Sequence, residues 1–345
     1  MTNTKGRSGG PSAPTRLILA NRVTVGLAWT LVAVCSLVVG CGTADRAEPQ
    51  GPGSPTLGAV PVGADAVFAF EQVVPGSEDA DLYVAGPNGR DLELLRSPGG
   101  YPQWSPDGKA LAFQACLNPP DCTTDVALLE RSGGRVKGFT SPDPALEIHC
   151  GLAWSPDGKR LACEAFGSDD PKRTGIYSIR ASDGEGLERL TKNPGGDDLP
   201  LAYSPDGSRL LLARTDPSRA EETSQALFIV PLGGGEPHRI TPWGYADDVA
   251  DWSPDGRTIV FGKDGLLYRV DPAGHHLAEI TLHTPRGTKA HAAFDVGFSP
   301  DGRSILFSLS GSAAGIYTAD LAGSRVKRLT SGDHHHANWS AVPSS

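Results

Sequence analysis

Trp104-Ser105-Pro106-Asp107-Gly108 recurs as Trp154 to Gly158, Tyr203 to Gly207, Trp252 to Gly256 and Phe298 to Gly302, always an aromatic followed by Ser-Pro-Asp-Gly. A truncated sixth copy, Trp339-Ser340, closes the series, and successive aromatics lie 50, 49, 49, 46 and 41 residues apart. Each interval holds about four short strands with their turns, which is the period of a propeller blade. Pro presets φ at the second turn position, Asp suits the third, and Gly accepts the left-handed conformation that closes a hairpin. After each turn comes an apolar run: Ala110 to Phe113, Arg160 to Cys163, Leu210 to Ala213, Thr258 to Phe261 and Ser304 to Phe307. Units then close on Leu190-Thr191, Ile240-Thr241 and Leu329-Thr330. The aromatic is read as an anchor between neighbouring blades, and almost nothing in the chain reads as helix.

The two ends decide the blade count. Strands over 66–70, 81–84 and 92–95 make a blade that lacks one strand, and 337–341 carries Trp339 with no hairpin turn after it. Pairing the last strand with the first completes that blade and removes the open edge of the ring. The expectation is an all-β, six-bladed propeller of four-stranded blades over residues 65–345.

Ahead of it, Lys5, Arg7, Arg16 and Arg22 precede an apolar run from Val23 to Val39, which ends in Val38-Val39-Gly40-Cys41. A charged segment, an apolar segment and a small-residue site before Cys predict a lipoprotein signal peptide over 1–40, with Cys41 as the lipidated residue. An uncleaved membrane anchor is the alternative, and it needs roughly 20 apolar residues. Residues 41–64, rich in Gly, Pro and small polar side chains, read as a flexible tether. Either way the body is expected outside the cytoplasm, held at the outer face of the bacterial cytoplasmic membrane or in the periplasm. Removing 1–40 takes the formal charge from −9 to −13. So acidic a body argues against a nucleic-acid partner, whose phosphates are bound through Lys and Arg. Cys116, Cys122, Cys150 and Cys163 remain, an even number in an oxidising compartment, and the local pairs 116–122 and 150–163 are favoured among three connectivities.

Propeller ligands collect where loops enter the innermost strands. Five residues before each aromatic stand Gly99, His149, Asp198, Asp247, Ala293 and His334, with Asp197, Asp248, Asp295, His335, His336 and His291 nearby. Carboxylate oxygen and imidazole nitrogen suit a divalent metal, the one cofactor considered, and equally a cationic or hydroxyl-rich ligand. His149, Asp198, Asp247, His334 and His336 are therefore the candidate site, and strand alternation would let His334 and His336 face the channel together. The competing reading is that these side chains are solvated or cap turns. Gly-x-Ser-x-Gly occurs only at Gly6 to Gly10, and HExxH and phosphate-loop motifs are absent, so no catalytic residues are assigned.

The aromatic-Ser-Pro-Asp-Gly repeats resemble those of the TolB-like (PD40-type) propeller lipoproteins, over roughly Ala66 to Val342. The resemblance implies a monomeric, envelope-anchored binding or scaffolding propeller that engages an envelope protein or a cell-surface ligand. Related repeats also occur in gating propellers of peptidases and in polysaccharide lyases. The alternative function is accordingly a metal-dependent carbohydrate-active lyase or hydrolase with an Asp/His site at the channel mouth.

Overall fold

The computed structural model describes residues 68–74, 80–86, 88–115, 125–131, 136–139, 141–167, 169–193, 195–283 and 292–340, with the side chains of 125, 149–152 and 292–294 left aside. The expected signal peptide, Cys41, the tether, Cys116, Cys122 and His291 lie outside these residues. So do the side chains of His149 and Cys150. All described residues belong to the compact unit Ser54–Ser345. No helix among them is long and apolar enough to cross a membrane.

Six four-stranded antiparallel sheets follow one another along the chain. Blade 1 runs His334–Trp339, Phe68–Val73, Ala80–Ala85, Glu93–Arg96, so its innermost strand comes from the far end of the chain. Its register pairs Phe68 with Trp339 and Ala69 with Asn338, the closure that the truncated sixth repeat predicts. In blades 2 to 6 the innermost strands are Gly100–Trp104, Leu146–Trp154, Asp198–Tyr203, Ala250–Trp252 and Ala292–Phe298. Each contacts its neighbours around the ring, including His334–Trp339 with those of blades 6 and 2.

Second strands read as continuous apolar runs because neighbouring blades cover both of their faces, as in any doubly buried strand. Leu111, Ala112 and Phe113 are all fully buried. The core is accordingly a set of layers between blades rather than one central mass. Leu82 and Val84 of blade 1 pack with Trp104 and Phe113 of blade 2, and Leu211 of blade 4 packs with Trp252 and Phe261 of blade 5. Phe68, Phe70 and Ala337 of blade 1 pack with Leu306 and Ile316 of blade 6, closing the circle.

Polar devices repeat with the blades. In every full signature the Ser hydroxyl donates to the Asp carboxylate, at 2.6 to 2.8 Å. The Gly amide donates to the Ser carbonyl at 2.8 Å, with the five Gly φ angles between 66° and 71°. The turns also interlock, since each Gly from Gly158 onward sits against the Pro of the preceding blade's signature. The Leu-Thr and Ile-Thr endings have a matching role. Hydroxyls of Thr191, Thr241 and Thr330 accept the amides of Ile176, Leu227 and Ile316 at 2.9, 2.9 and 3.1 Å. All three Thr are buried.

Blades are also tied through the residue before the aromatic. Asn338 Oδ1 accepts the Trp104 amide and Asp251 Oδ2 accepts the Phe298 amide, both at 2.8 Å. Burial pushes the Asp251 carboxyl up to about 6, against the two backbone amides that favour its charged form.

Thr241→Val keeps the side-chain shape and leaves the buried Leu227 amide without its acceptor, so it should cost about 1–3 kcal/mol. Urea unfolding should show a lower midpoint at unchanged m-value, with Thr241→Ser recovering most of the loss. Equal stability of the Val variant and the parent would show that the hydroxyl contributes nothing.

Candidate functional site

Of the residues aligned five positions before the aromatics, Asp198, Asp247 and His334 have described side chains, and each is held by neighbours of its own. Asp198, 2% exposed, opens its inner strand opposite Arg214. Arg214 Nε and Nη2 each lie 2.7 Å from one of its oxygens, and Asn193 Nδ2 donates at 3.0 Å. Asp247 lies 3.6 Å from Lys263 Nζ and accepts the Asp264 amide at 3.0 Å. Burial pushes its carboxyl above the usual range, further than Lys263 draws it down. Both carboxylates thus already hold a cation of their own chain.

His334 turns into the core. Its ring sits 4.6 Å from the Phe70 ring, and Nδ1 lies 2.7 Å from the Thr330 hydroxyl. A Cβ on Gly332 would come within 2.8 Å of Nε2, so the imidazole rests directly on that glycine's backbone. Burial holds the ring down to about 4, hence neutral at pH 7. Among the described residues, no group of three or more His, Cys, Asp or Glu side chains is placed to hold a metal ion.

A different grouping does form. Tyr101, Asp295 and His336 each stand three residues before their aromatic, on inner strands of blades 2, 6 and 1. Register shifts fall at this level in all three strands. In blade 1 the pairing passes from Ala69 opposite Asn338 to Glu71 opposite His335, so His336 and Ala337 together face Phe70. Tyr101 and His336 take left-handed φ values of 51° and 52°, which non-glycine residues adopt at a cost. This bulge re-aims the imidazole. The two imidazoles accordingly have different partners, Thr330 and Phe70 for His334 and Glu71 and Tyr101 for His336.

His336 Nδ1 lies 3.0 Å from Glu71 Oε1, an ion-pair distance without hydrogen-bond alignment, and Nε2 lies 4.0 Å from Asp295 Oδ1. The His336 amide and the Ser308 hydroxyl both donate to Asp295 Oδ2, at 2.6 and 2.7 Å. The Tyr101 ring lies 4.2 Å from the imidazole, and its amide donates to Glu71 Oε1. Gly100 allows this approach, since a Cβ there would come within 2.9 Å of Glu71 Oε1. Glu71 and Asp295 are 7% and 3% exposed, whereas a quarter of the His336 side chain is accessible.

Burial opposes charge on His336, but Glu71, Asp295 and Asp248 outweigh it and hold the imidazolium up to about 9. Burial likewise pushes the Glu71 carboxyl up, and His336 with the Tyr101 amide brings it below the usual value. Of this cluster, the alignment singled out His336 and noted Asp295. It missed Glu71 and Tyr101. A charge within the strand Phe68–Val73, Phe-Ala-Phe-Glu-Gln-Val, was the available signal for Glu71.

A histidine with a raised pKa stabilises the fold fully below its ordinary 6.5, and that contribution is lost as pH rises through about 9. The lowered Glu71 contributes above its ordinary 4.5 and loses its contribution as pH falls. The urea midpoint of the parent should therefore fall between pH 6.5 and 9, more steeply than that of His336→Gln. Parallel pH profiles would show that the imidazolium does not form.

Comparison with known proteins bears on the architecture. No family model matches the chain. A 154-residue stretch is 27% identical to dipeptidyl-peptidase 5 of Porphyromonas gingivalis, and it covers 41% of this chain but only 22% of that protein. TolB from Acinetobacter baumannii superposes with a TM-score of 0.60 at 19% identity, over 80% of this chain and 66% of that one. TolB from Agrobacterium tumefaciens gives 0.56 at 19%, over 81% of this chain and 98% of that one. A puromycin-hydrolysing peptidase of Mycobacterium tuberculosis gives 0.50 at 15% identity, over 76% of this chain and 44% of that one. The chain has the fold of the TolB-like six-bladed β-propellers.

Proposed function

We propose that the protein is an extracytoplasmic binding propeller, lipid-anchored through Cys41, that engages a protein partner through the loops entering its inner strands. The observation that carries this reading is the state of the polar residues there. The buried Asp198 fixes the partly exposed Arg214, and the half-buried Asp247 is paired with Lys263, so the charged groups at the entry to these strands are held in rigid positions. Preorganised groups on a stiff scaffold bind with little ordering cost. The repeats' resemblance to envelope propellers and the likeness to TolB structures support the same reading. A metal-dependent lyase or hydrolase would need carboxylates and imidazoles open to a metal, and the bidentate Arg214 pairing of Asp198 works against that.

The local bridges 116–122 and 150–163, formed in an oxidising compartment, belong to the same reading. Peptide mapping of the exported protein without reductant should recover both pairs. Four free thiols would remove them.

Two experiments in intact cells test the main reading. Cys41→Ala should move the protein from the membrane fraction to the soluble one, and an unchanged distribution would leave it without a lipid anchor at Cys41. A photo-crosslinking side chain at Gly195, beside the entry to an inner strand, should capture a discrete protein that one at Asp206, in the turn at that strand's other end, does not. Capture at neither position, or equally at both, would defeat a partner site at this mouth. Stoichiometric divalent metal in chelator-free preparations would favour the enzyme reading instead.

A further inference from the structure

The sixth residue after the blade 3 aromatic, Arg160, opens the second strand of that blade. Its guanidinium lies against the third strand and the turn that follows it. Nε donates to the Ser178 hydroxyl at 2.9 Å, and Nη2 donates to the Ser178 and Gly186 carbonyls at 3.0 and 2.7 Å. Glu188 also lies 3.5 Å from Nη2, but its side chain is largely exposed, and surface pairs of this kind contribute little. Three neutral acceptors therefore do most of the holding.

Blade 6 repeats the surroundings of that guanidinium but not the arginine. Ser304 stands at the sixth position after Phe298. Thr318 takes the place of Ser178, since each pairs with the residue eight positions after its aromatic. Gly186 and Arg325 also correspond, two residues before the fourth-strand partners of Ser178 and Thr318, and both have left-handed φ, 67° and 53°. Between these elements blade 6 has a cleft of about 440 Å³, lined by Asp301, Arg303, Ser304, Thr318, Asp320 and Arg325 among others. Asp301, Arg303 and Arg325 are exposed, so the cleft opens to solvent.

The charges in its walls narrow what it can take. Arg325 Nε is tied to Asp320 Oδ2 at 2.9 Å, and Asp320 Oδ1 accepts the Ala322 and Ser324 amides at 3.1 and 2.8 Å. Asp301 Oδ1 accepts the Ser299 hydroxyl and the Arg303 amide, whereas Oδ2 stands 3.9 Å from Arg303 Nε, beyond hydrogen-bond reach. Each cation of the lining has an acid beside it, so an anion meets no surplus of positive charge. Asp301 Oδ2 and the Thr318 hydroxyl are left as acceptors, and a planar fork of N–H donors suits such a set.

We propose that the blade 6 cleft is a seat for one guanidinium group supplied from outside the chain, in the position that Arg160 fills in blade 3. An arginine of a bound protein would supply such a group, as would a free alkylguanidine. The seat goes beyond the partner site at the channel mouth, because it lies among the signature turns, at the other end of the strands. Thr318 and Asp301 bind the group, and the short side chain of Ser304 leaves room for it.

The test is titration calorimetry of the full chain at pH 7 with methylguanidinium chloride, with methylurea as the neutral isostere, and with the tripeptide acetyl-Gly-Arg-Gly-amide. The parent should bind methylguanidinium saturably and methylurea ~10-fold or more weakly. Ser304→Arg gives blade 6 the arginine of blade 3, so it should abolish binding without lowering the melting temperature followed by circular dichroism. Thr318→Val keeps the side-chain shape, removes one acceptor and should weaken binding by ~3-fold or more. A tripeptide that binds more tightly than methylguanidinium identifies a partner's arginine as the source, and one that binds equally or less identifies a free alkylguanidine. No saturable binding, an equal response to methylurea, full binding by a folded Ser304→Arg variant, or a Thr318→Val variant that binds as the parent does would each overturn the proposal. Crosslinking from Gly195 reads the other end of the strands, so the seat and the partner site fail separately.

Discussion

The structure depends on face-to-face packing between blades. No blade has a core of its own, because its second strand is apolar on both faces and needs a neighbour on each side. Phe113, Phe261 and Phe307 are fully buried for this reason, each in a layer shared by two sheets. Such a stack is satisfied everywhere only if it closes on itself. The strand His334–Trp339 meets that demand by pairing with Phe68–Val73 while touching the inner strands of blades 6 and 2. One short segment thereby links ends of the chain more than 260 residues apart, and the ring and the cluster around His336 share it.

Polar groups in this architecture are placed by the same repeats. Exposed turns satisfy themselves through the Ser-Asp pair, buried Thr hydroxyls accept amides of the third strand, and Asn338 or Asp251 ties one blade's inner strand to the next. These devices are interchangeable between blades because the backbone geometry is. The level of the inner-strand bulges is where the blades cease to be alike. There Tyr101, Asp295 and His336 replace one another at equivalent positions, and Glu71 reaches them from a second strand. Individuality on a repeating scaffold belongs where the backbone departs from regular pairing, since a bulge aims side chains that the pleat would point elsewhere.

The candidate site was partly legible. Counting back from the aromatic led to the inner strands and to His336, and it grouped residues that share a register. It did not reveal that Asp198 faces Arg214 on the adjacent strand or that His334 rests on Gly332, because cross-strand pairing and packing are not written along the chain. It also assumed uninterrupted alternation from His334 to His336, and the left-handed φ of His336 interrupts it.

From the sequence alone came the number of blades, the hairpin turns, the apolar second strands and the closure by the last strand. All of these follow from local chemistry repeated at a regular period: Pro and Gly set the turn, alternation and apolar runs set burial, and an incomplete first unit requires a partner. Only the tertiary structure decided which acidic and basic groups neutralise one another and which carboxylate oxygen is left over. Those outcomes depend on distances of a few ångströms between residues of different blades, and a shift of one residue at a bulge is enough to change them.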